Sequence, residues 1–236
     1  MAYTDIDDPA QYFNTLLYTG ANKSITGVNF QPDWVWIKER DSGYHAIFDS
    51  IRGVTKILSS NVNNAEDTQS DTLTAFGTDG FTLGADSNNY VGGSSTSTVS
   101  WNWKAGGSAS SNSDGTLTSS VSASTTAGFS IVAYTGSGST TSFGHGLGVA
   151  PKWVIIKNRE DTDGWTVFHT GISSGQGYIF LNTTDAATTG SSRRYRYGDG
   201  SDGKLPDSTK VYLGNASDVN TSGEDYIAYC FAEKKG

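Results

Sequence analysis

One cysteine, one methionine, four prolines and little charge of either sign set the first limits on this 236-residue chain. With Cys230 as the sole cysteine, no intrachain disulfide can form, so the framework that staples small secreted domains is excluded. Folding in a reducing cytosol, with release by a route other than secretion, fits this better. No apolar run approaches the length of a membrane span. The first residues, Met1 to Asp8, are acidic and lack the apolar stretch of a signal peptide. Basic residues are also scarce. The formal net charge is −8, and residues 1–106 and 107–236 are both acidic on balance. A broad nucleic-acid footprint needs a basic surface, and adhesion to anionic lipid needs basic clusters, so both are excluded. Leucine is sparse and no segment shows a 3.6-residue apolar period, which argues against helices beyond a short turn near residues 49–53.

What is present is glycine (29 residues), abundant serine and threonine, and 28 aromatic residues counted as 6 Trp, 12 Tyr and 10 Phe. Turn and strand formers dominate, and the aromatics suffice for packed cores. The chain also repeats itself. Phe13-Asn14-Thr15-Leu16-Leu17-Tyr18-Thr19-Gly20 matches Phe129-Ser130-Ile131-Val132-Ala133-Tyr134-Thr135-Gly136. Pro32-Asp33-Trp34-Val35-Trp36-Ile37-Lys38 matches Pro151-Lys152-Trp153-Val154-Ile155-Ile156-Lys157 without a gap. Leu83-Gly84 answers Leu213-Gly214, and Trp101-Asn102-Trp103 answers Tyr229-Cys230-Phe231. Short strands separated by polar turns are expected at 55–59, 72–76, 81–83 and 98–103 in one copy. The other copy has candidates at 177–181, 193–197, 210–213 and 225–232.

The expected fold is therefore all-β: two tandem antiparallel β-sandwich modules of jelly-roll or lectin-like type, arising by internal duplication. The boundaries are 1–106 for module 1, 107–128 for a Ser/Gly-rich linker or the first strand of module 2, and 129–236 for module 2. Each copy forming its own sandwich and both sharing one sheet system remain open, with the Gly/Ser joint favouring the first.

Chemistry-bearing residues are few and scattered. His45, His145 and His169 form no triad or ligand spacing; His45 and His169 fall at roughly equivalent places in the two copies. Asp86, Asn88 and Asn89, with Asn215, Asp218 and Asn220, fit polar Asx turns more economically than calcium loops. No metal site, cofactor or catalytic set is expected, and the chain is read as a non-enzyme. Cys230 reads as a small buried residue. Trp34, Trp36, Trp101, Trp103 and Trp153 read as packing. Trp165, after Asp163-Gly164, is the tryptophan expected to be partly exposed. The one basic cluster, Arg193, Arg194, Tyr195, Arg196 and Tyr197, has no counterpart in copy one. Arginine with tyrosine suits contact with sugars or proteins, so these five residues and Trp165 are the candidate binding set.

Several stretches, among them Met1-Ala2-Tyr3-Thr4, Gln31-Pro32-Asp33-Trp34-Val35-Trp36-Ile37-Lys38, Gly144-His145-Gly146-Leu147-Gly148 and Tyr229-Cys230-Phe231-Ala232-Glu233, resemble an uncharacterised family of phage structural proteins. Its members come mostly from marine viruses that infect cyanobacteria and other ocean bacteria. The resemblance covers nearly the whole chain. It implies a virion protein made in the host cytoplasm, in a tail fibre, appendage or capsid decoration, with other virion proteins and copies of itself as partners. A carbohydrate-binding adhesin that contacts a host-surface glycan is the alternative, and a polysaccharide depolymerase the third reading. Neither nucleic acid nor membrane insertion is expected.

Overall fold

The structure, a computed structural model, describes residues 4–41, 43–93, 95–172, 177–189 and 204–235. The chain divides into two compact units. Unit 1 comprises Met1–Asn61, Glu66–Ser108 and Lys234–Gly236; unit 2 comprises Val62–Ala65 and Ala109–Glu233. Unit 1 holds β1 (Phe13–Thr19), β2 (Lys23–Thr26), β3 (Trp34–Glu39), β4 (His45–Asp49), β5 (Lys56–Ser59), β6 (Asp67–Thr68), β7 (Leu73–Gly77), β8 (Gly80–Leu83) and β9 (Ser97–Trp103). Unit 2 holds β10 (Ser110–Asn112), β11 (Ser119–Ser124), β12 (Phe129–Thr135), β13 (Thr141–Gly144), β14 (Trp153–Asn158), β15 (Thr166–His169), β16 (Tyr178–Phe180), β17 (Lys210–Leu213) and β18 (Asp225–Phe231). A single helical turn, α1 (Ser217–Asn220), lies between the last two strands.

The fold is all-β and antiparallel, and no strand is shared between the main sheets of the two units. In unit 1 the main sheet runs β1-β9-β3-β4-β5-β6, faced by β2-β8-β7; in unit 2 it runs β10-β11-β12-β18-β14-β15-β16, faced by β13-β17. The shared order extends to register. Phe13 faces Trp103, which faces Trp34, which faces Asp49. At the same positions Phe129 faces Phe231, which faces Trp153, which faces His169. Lys23 faces Leu83 as Thr141 faces Leu213.

Alternation along each strand puts one set of side chains between the two layers. In unit 1 Val35, Ile37, Ala46, Phe48 and Ile57 of the main sheet meet Ile25, Leu73, Phe81 and Leu83. In unit 2 Val132, Tyr134, Val154, Ile156, Ala228 and Cys230 meet Phe143, Val211 and Leu213. Strand β14 is buried on both faces, since Ile155 is as hidden as Val154 and Ile156. The unbroken Val-Ile-Ile run follows from that burial. Cys230 sits fully buried in this core, and burial pushes its thiol up to about 12.

The lysines that end the repeated strand act alike. Lys38 donates through Nζ to the Glu39 carbonyl. Lys157, with no exposed surface, donates to the Asn158 carbonyl at 2.6 Å and the Asp161 carbonyl at 2.9 Å. Each ammonium thus binds the backbone of the turn that follows its own strand. The β7–β8 hairpin depends on Gly80, at φ +146°, where a Cβ would fall 1.9 Å from the Ile25 carbonyl oxygen.

Of the two readings left open for segment 107–128, the structure has the strand: the segment contains β10 and β11, and Val121 of β11 joins the unit 2 core. Ser119 is buried and donates its hydroxyl to the Gly144 carbonyl at 3.0 Å, so serine is accommodated in a strand whose Val121 fills the core. His45 and His169 are not equivalent. His45 faces Lys38 at one end of its strand pair, whereas His169 faces Trp153 at the other end. Residues 50–55 form turns without a helix; among the described residues the helical turns are α1 and a 3-10 turn at Pro9–Gln11.

Candidate ligand-binding site

The repeated row of cross-strand neighbours ends in opposite ways in the two units. In unit 1, Trp34 is fully buried and stacks at 4.3 Å from Trp103. Two carboxylates close that end of the sheet. Asp33 accepts the backbone N–H of Ala105 at 2.7 Å and of Gly107 at 3.3 Å, which draws the chain after β9 back over the strand end. Asp49 accepts the backbone N–H of Arg52 at 2.9 Å and the Arg52 Nε–H. The same guanidinium donates to Glu66 at 3.1 Å, the Lys56 carbonyl at 3.0 Å and the Ile47 carbonyl at 2.9 Å. A buried guanidinium needs such a full set of acceptors.

Unit 2 carries Lys152 where unit 1 has Asp33, and His169 where it has Asp49. The backbone pairing is kept: Lys152 N donates to Phe231 O at 2.8 Å and Thr170 N donates to Lys152 O at 3.0 Å. Lys152 cannot repeat the closure made by Asp33, because an ammonium has no acceptor for backbone N–H groups, and His169 accepts a single backbone N–H, from Gly171, where Asp49 also holds a guanidinium. The end stays open as a cavity of about 440 Å³. Its floor is aromatic: Trp153 and Phe231 stack with centroids 4.5 Å apart and planes 20° apart, and Phe129 continues the row 4.8 Å beyond Phe231. Its rim is polar, with Lys152, His169, Thr170 and Glu233. Trp153 and Phe231 are half-buried, while Lys152, His169 and Glu233 are exposed.

His169 is held in one tautomer. Gly171 N donates to its Nδ1 at 3.0 Å, so the ring proton sits on Nε2 as a donor. The site therefore offers a flat apolar surface with an imidazole N–H donor, an ammonium donor and a carboxylate acceptor around it. That is the composition that grips a polyhydroxylated ring: C–H faces on the aromatic floor, hydroxyls on the rim. The volume is within the range of small-molecule sites, roughly 300–1,000 Å³.

A second hollow, of about 380 Å³, lies between β11, β12 and β18, lined by Ser111, Thr118, Ser119, Ser120, Thr135, Arg159 and Asp225. Thr135 donates its hydroxyl to Asp225 at 2.8 Å, and the Arg159 guanidinium approaches the same carboxylate at 3.9 Å.

The residues singled out from the sequence do not build the cavity. Trp165, expected to be partly exposed, is fully buried. Its Nε1–H donates to the Val62 carbonyl at 3.2 Å, and its backbone N–H to Asn182 Oδ1 at 2.9 Å. The Asp-Gly that precedes it leads straight into β15, so its ring packs inside unit 2. Arg193, Arg194, Tyr195, Arg196 and Tyr197 lie outside the described residues. The polar turns act as hydrogen-bonding staples. Asp86 accepts from Tyr90 N at 2.7 Å and Val91 N at 2.8 Å. Asn220 bridges Ser137, Ser139 and Gly214, and Asp218 accepts the Thr166 hydroxyl at 2.6 Å. His145 is buried, with Leu147 N donating to its Nδ1 at 3.2 Å and its Nε2 3.0 Å from the Asp207 carbonyl. Sequence inspection passed over Trp153 because it occupies the same repeat position as Trp34. The signal lay in the pairs Asp33/Lys152 and Asp49/His169.

The family described as a domain of unknown function, DUF7483, matches residues 8–236. The chain belongs to that family. The match spans both units, so the two sandwiches fall within one family domain. No curated protein and no solved structure matches the chain. Among the described residues, no helix is long and apolar enough to cross a membrane.

Proposed function

We propose that the chain is a non-catalytic attachment module that holds a surface glycan on the Trp153–Phe231 platform, as part of a phage particle. The observation that carries the glycan reading is the stacked, half-buried aromatic pair at the floor of an open cavity with donors and an acceptor at its rim. The tandem sandwich architecture and the sequence resemblance to phage structural proteins support the particle: a tail fibre, appendage or capsid decoration whose other partners are virion proteins. The two units would then be an internal duplication in which one copy kept the closed strand end and the other opened it for binding. Glycosidases work with a pair of carboxylates. Glu233 is the one carboxylate among the described residues lining the cavity, which favours binding over cleavage.

The test is titration of the full chain with host-surface polysaccharides and a glycan array, followed by Trp153→Ala. Loss of a central tryptophan anchor is expected to weaken binding by about thirtyfold or more. Binding that is unchanged in the variant, or absent from every glycan offered, removes the proposal. Release of reducing ends on incubation would replace it with a depolymerase. Immunogold labelling of intact particles tests the virion assignment separately.

A further inference from the structure

The long edge strand of unit 1 is open where its counterpart in unit 2 is covered. Strand β12 pairs with β18 on one side and with β11 on the other, Val121 facing Val132 and Ser122 facing Ile131. Under that cover Ser130, Val132 and Tyr134 are buried. Strand β1 occupies the same place in its own sheet and pairs with β9 alone; among the described residues no strand pairs with its outer edge, where Lys23 Nζ donates to the Thr19 carbonyl and Thr15 N donates to Asn14 Oδ1 at 2.9 Å. The equivalent inward residues, Asn14, Leu16 and Tyr18, are accordingly only half-buried. Leu16 and Tyr18 pack against the core of unit 1 from its rim. On the other face Phe13 is 39% exposed and Leu17 is 69% exposed.

We propose that β1 pairs edge to edge with β1 of a second copy of this chain, which joins two main sheets into one. Natural edge strands are guarded by charge, proline, a bulge or shortness. Phe13–Thr19 itself has no charged residue and no proline, although Lys23 reaches its last carbonyl from outside the strand; it pairs with β9 in unbroken register over all seven residues, and is as long as any strand among the described residues. The absence of charge suits a like partner, because a net charge on the strand would be carried by both copies and repel. Alternation fixes the register. Tyr12 O accepts from Lys104 N and Gly20 N donates to Thr96 O, so even-numbered residues bond toward β9 and Phe13, Thr15, Leu17 and Thr19 present their backbone outward. Two antiparallel copies overlap fully when Thr15 faces the second copy's Leu17 and Leu16 faces the second copy's Leu16. That arrangement covers the exposed Leu17 and completes the core beside Leu16 and Tyr18, as β11 does for Val132 and Tyr134. The contact is smaller than a standard interface of roughly 1,600 Å², so the pair is weak in dilute solution and strengthens where copies are held close.

The experiment is sedimentation equilibrium of the full chain from micromolar to millimolar concentration. A reversible dimer is expected. Thr15→Pro removes an outward N–H without touching the β1–β9 bonds, and Leu17→Lys places charge on the edge; each should weaken association roughly tenfold or more while circular dichroism stays the same. Leu16→Cys should form a disulfide-linked dimer on mild oxidation, because directly opposed residues of a non-hydrogen-bonded pair approach closely. A chain that is monomeric throughout overturns the proposal, as does association indifferent to both edge variants. A monomer that nevertheless takes up a synthetic peptide of residues 119–124 would assign the edge to a foreign strand, and also overturns it.

Discussion

Tyr18 donates its hydroxyl proton to the carbonyl of Val91 at 2.7 Å, closing a span of 73 residues. Its repeat partner Tyr134 does the same to the carbonyl of Val219 at 2.7 Å, across 85 residues. In each unit one phenol reaches from the main sheet, from its first strand in unit 1 and its third in unit 2, to the segment before the closing strand, and anchors that segment. Burial, with Asp86 and Glu39 nearby, holds the Tyr18 hydroxyl well above its ordinary value, so it stays a donor at any working pH. Tyr18→Phe and Tyr134→Phe should each cost about 1–2 kcal/mol by leaving a loop carbonyl without its donor. Urea unfolding of the two variants checks this, and the slope of the transition should not change.

Arg52 is the expected weak point of unit 1. Arg52→Leu strands the buried Asp49 carboxylate and frees three acceptors, at a cost of about 3–5 kcal/mol. Asp49→Asn in the same chain should recover part of that loss, since no buried charge is then left alone. Thermal midpoints of the single and double variants give the comparison.

Lys157 gives stability an alkaline signature. Burial lowers its ammonium from 10.5 to about 8 against the pull of Asp163 and Asp161. Below pH 8 folded and unfolded chains both carry the proton. Between 8 and 10.5 the folded chain has released it while the unfolded chain still binds it, so the contribution of this group to stability rises with pH. Relative to Lys157→Met, the native protein should gain up to about 3 kcal/mol across that window. Tyr226 and Cys230, both raised by burial to about 12, act oppositely at the alkaline end, but they are common to the two proteins and cancel in the difference. Chemical unfolding at a series of pH values measures it.

His145 gives the acid counterpart. Burial lowers it from 6.5, against the Asp207 carbonyl and the charges of Asp207 and Asp114. Protonation would also break the bond from Leu147 N to Nδ1. As pH falls below 6.5 the unfolded chain takes up a proton that the folded chain resists, so stability is lost from that point downward. His145→Gln should show a shallower acid loss in the same titration.

Legibility followed periodicity and failed at cross-strand neighbours. Pro32 and Pro151, each opening a Trp-led apolar run, located β3 and β14; Asp79-Gly80 located the β7–β8 turn. These signals are local, because alternation and turn chemistry act over a few residues. The cavity is non-local. Whether Trp153 is sealed like Trp34 depends on Lys152, on His169 directly opposite on the adjacent strand, and on the segment after the closing strand; only register brings these together. Trp165 misled for the same reason, since its Asp-Gly context is that of a surface turn while its ring is enclosed by residues distant in sequence, Val62 and Asn182 among them. Serine-rich composition left β11 open between a linker and a first strand, because only Val121 and Ala123 carry its core-facing signal, and tertiary packing then decides.

The other main-sheet edges are short: β6 has two residues, and β10 and β16 have three each, against seven in β1. A subunit with two adhesive edges polymerises without limit, whereas one with a single self-complementary edge stops at two. By spending residues 110–124 on covering the second sandwich, the chain leaves β1 as the longest open main-sheet edge among the described residues, so its copies should couple in pairs and not grow into fibrils.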